Sequence, residues 1–137
     1  MRRARRIAVI LTWLGLALTL SACAGQQAAS RTVELATLND SGVTGSAVLT
    51  DLGDGTTRVE VEVDPAGHPN MPAHIHPGTC VNLVPQPRYP LQNIVDGHSE
   101  TDVPASLDEL FAGDLALNLH FSPDDFGTYT ACADLNP

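Results

Sequence analysis

The stretch TTRVEVEV, residues 56–63, alternates without a break, with Val59, Val61 and Val63 on one side and Arg58, Glu60 and Glu62 on the other. Successive side chains leave a β-strand on opposite faces, so this pattern buries one face and wets the other. Such a half-buried strand belongs to an antiparallel sheet. On either side of this strand the same punctuation recurs. TVELATL (32–38) ends in NDSG, and SAVLTD (46–51) ends in LGDG, a hairpin turn leading into the valine strand. Downstream, DPAGHPN precedes a short strand, MPAHIH (71–76). The proline-rich VNLVPQPRYPLQNIVDGHSE (81–100) reads as loop or sheet edge. SLDELFAGD (106–114) has a capping serine with an acidic residue three positions on, which predicts one or two helical turns. LALNLHF (115–121) is a strand with Leu115, Leu117 and Leu119 on one face and Ala116, Asn118 and His120 on the other. GTYTACADL (127–135) is the closing strand. Many short strands, Gly/Pro turns and almost no helical period predict an all-β sandwich or barrel over residues 32–137, without internal repeats.

The chain opens MRRARRIAVILTWLGLALTLSAC, with four arginines in the first six residues and an uncharged apolar run from Ile7 to Leu20. That run is shorter than the roughly 20 residues that cross a bilayer, and small residues follow it, so residues 1–22 read as a secretory signal peptide. LSAC, residues 20–23, resembles the bacterial lipoprotein signal-peptidase pattern. The resemblance implies that Cys23 becomes the lipidated first residue of an exported, envelope-anchored protein, with the membrane as a partner. Residues 24–31, AGQQAASR, are small and polar, so 23–31 reads as a lipidated tether.

Without residues 1–22 the chain keeps 115 of its 137 residues, enough for one domain and a modest core. It then holds Arg31, Arg58 and Arg88, no lysine, and all 16 acidic residues, a formal charge of −13. Such a surface repels nucleic acid and attracts cations, which excludes a nucleic-acid-binding role. With Cys23 assigned to the lipidation signal, Cys80 and Cys132 form a pair in an oxidising setting, where a disulfide is the default. The competing reading makes them two thiolate metal ligands, although neither has the close C-x-x-C spacing of structural zinc sites.

His74 and His76 lie one residue apart on a short strand, so their imidazoles leave the same face. His120 leaves its own strand opposite the leucine stripe. If the two strands are neighbours, three imidazoles form a site that suits copper or zinc; otherwise they are unrelated surface residues. His68, which follows a glycine in a loop, and Met71, a soft ligand three residues before His74, are candidate extra ligands. A core methionine is the simpler reading of Met71. His98, in VDGHSET, lies at a turn and reads as a surface residue.

AHIHPGTC (73–80) followed by LALNLHFSPDDFGTYTACADL (115–135) resembles the copper half of copper–zinc superoxide dismutases. There an H-x-H pair precedes a disulfide cysteine, and a later strand supplies a histidine, a D-D-x-G turn and the A-C of the partner cysteine. His74, His76, Cys80, His120, DDFG (124–127) and Ala131–Cys132 occur in that order. AHIH and NLH also resemble signatures of CHRD domains, although the G-E-x-R-G ending of that family is missing. The dismutase resemblance implies a Greek-key β-sandwich or barrel with a Cys80–Cys132 disulfide, holding one copper ion through His74, His76 and His120. The chain also departs from the dismutase pattern. The segment matching the zinc loop has His98 alone, so no zinc is expected, and Tyr129 stands where the anion-guiding arginine lies. The expectation is therefore a copper-holding or copper-delivering envelope protein, with a copper-donor or copper-acceptor protein as partner. The alternatives are a copper-only superoxide dismutase and a CHRD-like, non-catalytic interaction module.

Overall fold

The computed structural model describes residues 27–136; the signal-peptide reading and Cys23 lie outside them. The elements, in chain order, are β1 (Ser30–Thr37), β2 (Thr44–Asp51), β3 (Thr57–Asp64), β4 (Asn70–Met71), β5 (Ala73–Thr79), β6 (Asn82–Leu83), β7 (Tyr89–Pro90), β8 (Ile94–Val95), β9 (His98–Val103), α1 (Leu107–Phe111), β10 (Leu115–Ser122) and β11 (Asp125–Asp134). All strand pairs are antiparallel, in the order β4-β8-β9-β3-β2-β1-β11-β10-β5-β6, with β7 beside β5. The fold is an all-β, sandwich-like curled sheet with one disulfide.

The curl is made at β1. Its residues Ser30–Leu35 pair with β2, whereas Ala36 and Thr37 pair with Ala131 and Cys132 of β11. One strand thus joins two half-sheets whose inner faces meet. The alternating valines do what their spacing dictates. Val59 and Val61 are fully buried and pack with Leu49, Ile75, Leu117, Leu119, Met71 and Ile94. Ser106 caps α1, accepting from the Glu109 amide, and Leu107 and Leu110 close one end of the core.

Three differences from the sequence reading have physical causes. First, β1 begins at Ser30, so Ser30 and Arg31 belong to a strand that hydrogen-bonds to β2. Second, His98–Val103, half of which reads as loop or sheet edge, is a full six-residue strand against β3. Its sequence is nearly all polar, and the backbone ladder with β3 and the burial of Ser99 and Val103 hold it in place, with side-chain contacts added on the outer face. Arg58 grips Asp102 with two bonds of 2.8 and 3.0 Å, and His98 pairs with Glu62. Third, the β10 face that carries Ala116, Asn118 and His120 is not at the surface. Every residue from Leu115 to His120 is buried. Within the proline-rich stretch, β6 and β7 are short strands along β5, in keeping with its reading as loop or sheet edge.

Cys80 and Cys132 are bonded, with Cα atoms 5.9 Å apart and 52 residues between them in sequence. Gly78 sets up the turn that reaches Cys80. Its φ is +99°, and a Cβ there would sit 2.3 Å from the Asn82 carbonyl oxygen. Closing a loop of 52 residues stabilises a fold by about 4 kcal/mol on the chain-entropy account. We expect the Cys80→Ser/Cys132→Ser double variant to lose about that much in urea unfolding, and the unreduced parent to show no reactive thiol at either position. Two titratable thiols in unreduced protein would contradict the pairing.

Candidate metal centre

The site is built by the register of two neighbouring strands. In the β5–β10 pair, His76 stands opposite Ala116, Ile75 opposite Leu117, and His74 opposite Asn118. Opposed residues share a face. Ile75 and Leu117 therefore enter the core together, and His74, His76, Asn118 and His120 take the other side. The ladder between β10 and β11 shifts register after Leu119, where Thr130 is the extra residue between Ala131 and Tyr129. The irregularity lies on β11, so the alternation of β10 continues through His120.

The three histidines form a group whose ligand nitrogens all lie within 4.8 Å of one another, and they can hold a metal ion. Each ring is set by a neighbour. The Nδ1–H of His76 donates to the Val84 carbonyl at 2.9 Å, and the Nδ1–H of His120 donates to the Phe126 carbonyl at 2.9 Å. Those bonds leave Nε2 of both rings as lone-pair donors, the arrangement by which outer groups orient metal-ligating histidines. The Nε2 of His120 faces Nδ1 of His74 at 2.9 Å. The Nε2 of His76 is buried with no hydrogen-bond partner at all. A metal can therefore be held by Nε2 of His76 and His120 and by Nδ1 of His74, in place of the proton that Nδ1 donates to His120. The His74 and His120 nitrogens, 2.9 Å apart, subtend roughly a right angle at an ion about 2.0 Å from each, so the spacing of that pair fits a first-row metal.

The DDFG turn has a definite task. The Asp125 carboxylate accepts from the Gly127 and Thr128 amides, both at 3.0 Å, and the Thr128 hydroxyl, followed by these amides, holds its own pKa below the usual carboxylate range. The turn so fixed presents the Phe126 carbonyl to His120. A cleft of about 360 Å³ opens over the imidazoles, with Pro85, Pro87, Phe126 and Tyr129 as its other walls. The Phe126 ring stacks near His74 at 6.1 Å, and Tyr129 stands edge-on to His120 at 5.3 Å. Burial pushes the His74 pKa down to about 4, helped by the neighbouring His120 and His76. Burial also lowers His120, against the opposing pull of the Phe126 carbonyl. Both rings are neutral at pH 7, the form a metal needs.

The other candidates lie elsewhere. Met71 is fully buried in the core, and its sulfur accepts from the Thr130 hydroxyl at 3.4 Å, so it is a core methionine. His68 packs edge-on against Phe121 at 4.7 Å and is not among the clustered nitrogens. His98 sits on the outer face with Glu62. Cys80 and Cys132 are bonded to each other, which overturns the thiolate-ligand alternative. The sequence reading missed the two orienting carbonyls, which no side-chain pattern encodes, and the burial of Asn118. No family model, no curated protein and no solved structure matches the chain.

The pKa directions set a pH dependence. A histidine whose folded pKa is lowered favours folding fully above its unfolded value, near 6.5, and that stability is lost as pH falls toward the folded value, about 4 for His74. With a chelator present, urea midpoints should fall steadily between pH 6.5 and pH 4, and the His74→Gln variant should show a shallower fall. Equal slopes in the two proteins would contradict the burial of a neutral His74.

Proposed function

We propose that the domain is an envelope-anchored copper-binding protein that holds or delivers one copper ion through His74, His76 and His120. The observation that carries this reading is the buried, unpartnered Nε2 of His76, locked in place by the bond from its other nitrogen to Val84. A lone pair kept from water and aimed into a cluster of imidazole nitrogens is costly unless a cation takes it up. An all-imidazole site favours copper over zinc at equal geometry. The lipoprotein resemblance at Cys23 supplies the anchor in this account.

The strand order supports a Greek-key fold of the dismutase type. β1, β2 and β3 are neighbours in sequence and in space, and the chain then crosses to the far side of the sheet, where β5 lies beside β10. The mouth of the site favours delivery to another protein. Phe126 and Val84 are about half exposed beside it, and Val81, on the turn after Cys80, is 95% exposed. A donor or acceptor protein docking there would meet apolar surface around the metal.

Superoxide turnover is the second reading, favoured by the open cleft over the imidazoles. Its substrate is an anion, and each arginine of the described residues is engaged away from the cleft: Arg58 with Asp102 and Glu100, Arg88 with Glu109, and Arg31 over the Phe111 ring. Nothing cationic lines the cleft except the copper itself, so guidance of the anion is weak. The copper-loaded domain should therefore turn superoxide over far below the diffusion limit of about 10⁹ M⁻¹s⁻¹ in stopped flow. A rate near that limit, falling steeply with salt, would replace binding with catalysis.

Copper titration tests the leading reading. The domain should bind one copper(II), with His74→Ala, His76→Ala or His120→Ala each weakening it by orders of magnitude and His98→Ala leaving it unchanged. In cells the copper-bearing chain should fractionate with membranes, and Cys23→Ser should release it. Equal losses from all five histidines would mean nonspecific surface binding. Failure to bind copper at all would favour the CHRD-like interaction module.

A further inference from the structure

We propose that Asn118 is a fourth member of the metal centre, its side-chain oxygen Oδ1 acting as a hard donor that favours the oxidised ion; the proposal rests on the three-imidazole copper reading. Asn118 has no solvent exposure, and neither Oδ1 nor Nδ2 has a hydrogen-bond partner. A buried amide left wholly unpaired is costly, so its retention within a run that is otherwise leucine and alanine from Leu115 to Leu119 calls for a partner. Its place in the sheet says which. It stands opposite His74 on β5, beside the Ala116–His76 pair, and two residues before His120 on the same face. Cβ atoms of directly opposed residues lie about 5 Å apart, and diagonal neighbours about 7 Å. His74, His76 and His120 are therefore the register neighbours of Asn118 on one face of the sheet.

The chemistry narrows the partner further. The Nε2 of His76 is a lone pair, because its Nδ1 carries the proton given to Val84, and it is buried without a partner on the same face. Nε2 of His76 and Oδ1 of Asn118 both present lone pairs and cannot satisfy each other, and no Asn118 N–H bonds to that Nε2 either. A cation satisfies both. An amide oxygen is a hard donor, which suits copper(II) more than the softer copper(I), whereas imidazole serves either state. Asn118 thus sets which oxidation state the site prefers.

The test compares the purified domain with Asn118→Val, Asn118→Asp and His76→Ala, using copper(II) and copper(I) affinities by competition with chromophoric chelators, and electron paramagnetic resonance of the copper(II) forms. Asn118→Val, similar in size and without the orphaned amide, should weaken copper(II) about tenfold and leave copper(I) within about twofold. A tenfold change confined to the oxidised state raises the reduction potential by about 59 mV for one electron. Its resonance spectrum should lose the contribution of the oxygen donor. Asn118→Asp, which presents a charged oxygen, should tighten copper(II). His76→Ala should lose both states, which reports on the three-histidine reading separately. If His76→Ala loses copper while Asn118→Val holds copper(II) as tightly as the parent or more so, Asn118 is not a ligand and the proposal falls. If Asn118→Val does not fold, unchanged copper(II) affinity in Asn118→Asp overturns it. If His76→Ala binds as the parent does, the three-histidine reading fails, and Asn118 with it.

Discussion

The antiparallel pairing of β5 with β10 is the constraint on which the rest of the site depends. Its ladder places His74, His76 and Asn118 on one face and Ile75, Leu117 and Leu119 on the other. Because the side-chain period is two, a slip of one residue would exchange these sets, sending imidazoles into the core and leucines into the cleft. The hydrophobic cost of that exchange is what holds the register. Burying Ile75, Leu117 and Leu119 contributes roughly 1.5–3 kcal/mol each, and the histidine geometry follows from it. The histidine cluster is in this sense positioned by the core beneath it.

A covering layer then turns two strand faces into a site. The turn after β5 is tied to β11 through Cys80–Cys132, and the Cys80 amide donates to the Asp134 carboxylate at 2.7 Å. From that fixed corner the chain folds back, so that Val84 meets His76 while Pro85 and Pro87 wall the cleft. On the other side the Asp125-organised turn brings Phe126 to His120. Two backbone carbonyls thus choose the tautomers of two rings and direct their free nitrogens inward. Together with burial, which keeps His74 neutral to about pH 4, they preorganise the set for a metal at neutral pH.

Much of this was legible in the sequence where period and chemistry coincide. The valine alternation of 56–63, the leucine stripe of 115–121 and the order of His74, His76, Cys80, His120 and Cys132 state the strands, the disulfide and the cluster. What was not legible depends on tertiary covering. HSETDV carries one aliphatic residue, so nothing in its pattern announces β9; pairing with β3 and the Arg58–Asp102 contact supply what hydrophobicity does not. Likewise, the alternation of Ala116, Asn118 and His120 reads as a wet face because a single strand gives no sign of the segment that folds over it. The orienting carbonyls of Val84 and Phe126 leave no side-chain signature. Met71 shows the reverse case, a soft ligand by chemistry whose place in the core is set by packing.

The central claim is that one copper ion sits between Nδ1 of His74 and Nε2 of His76 and His120. Diffraction from crystals of the copper-loaded domain, with anomalous data collected on both sides of the copper absorption edge, tests it most directly. The account predicts a single copper peak about 2.0 Å from each of those three nitrogens, with the bonds from His76 to Val84 and from His120 to Phe126 intact. A peak at His68 or His98 with none among His74, His76 and His120 would contradict it.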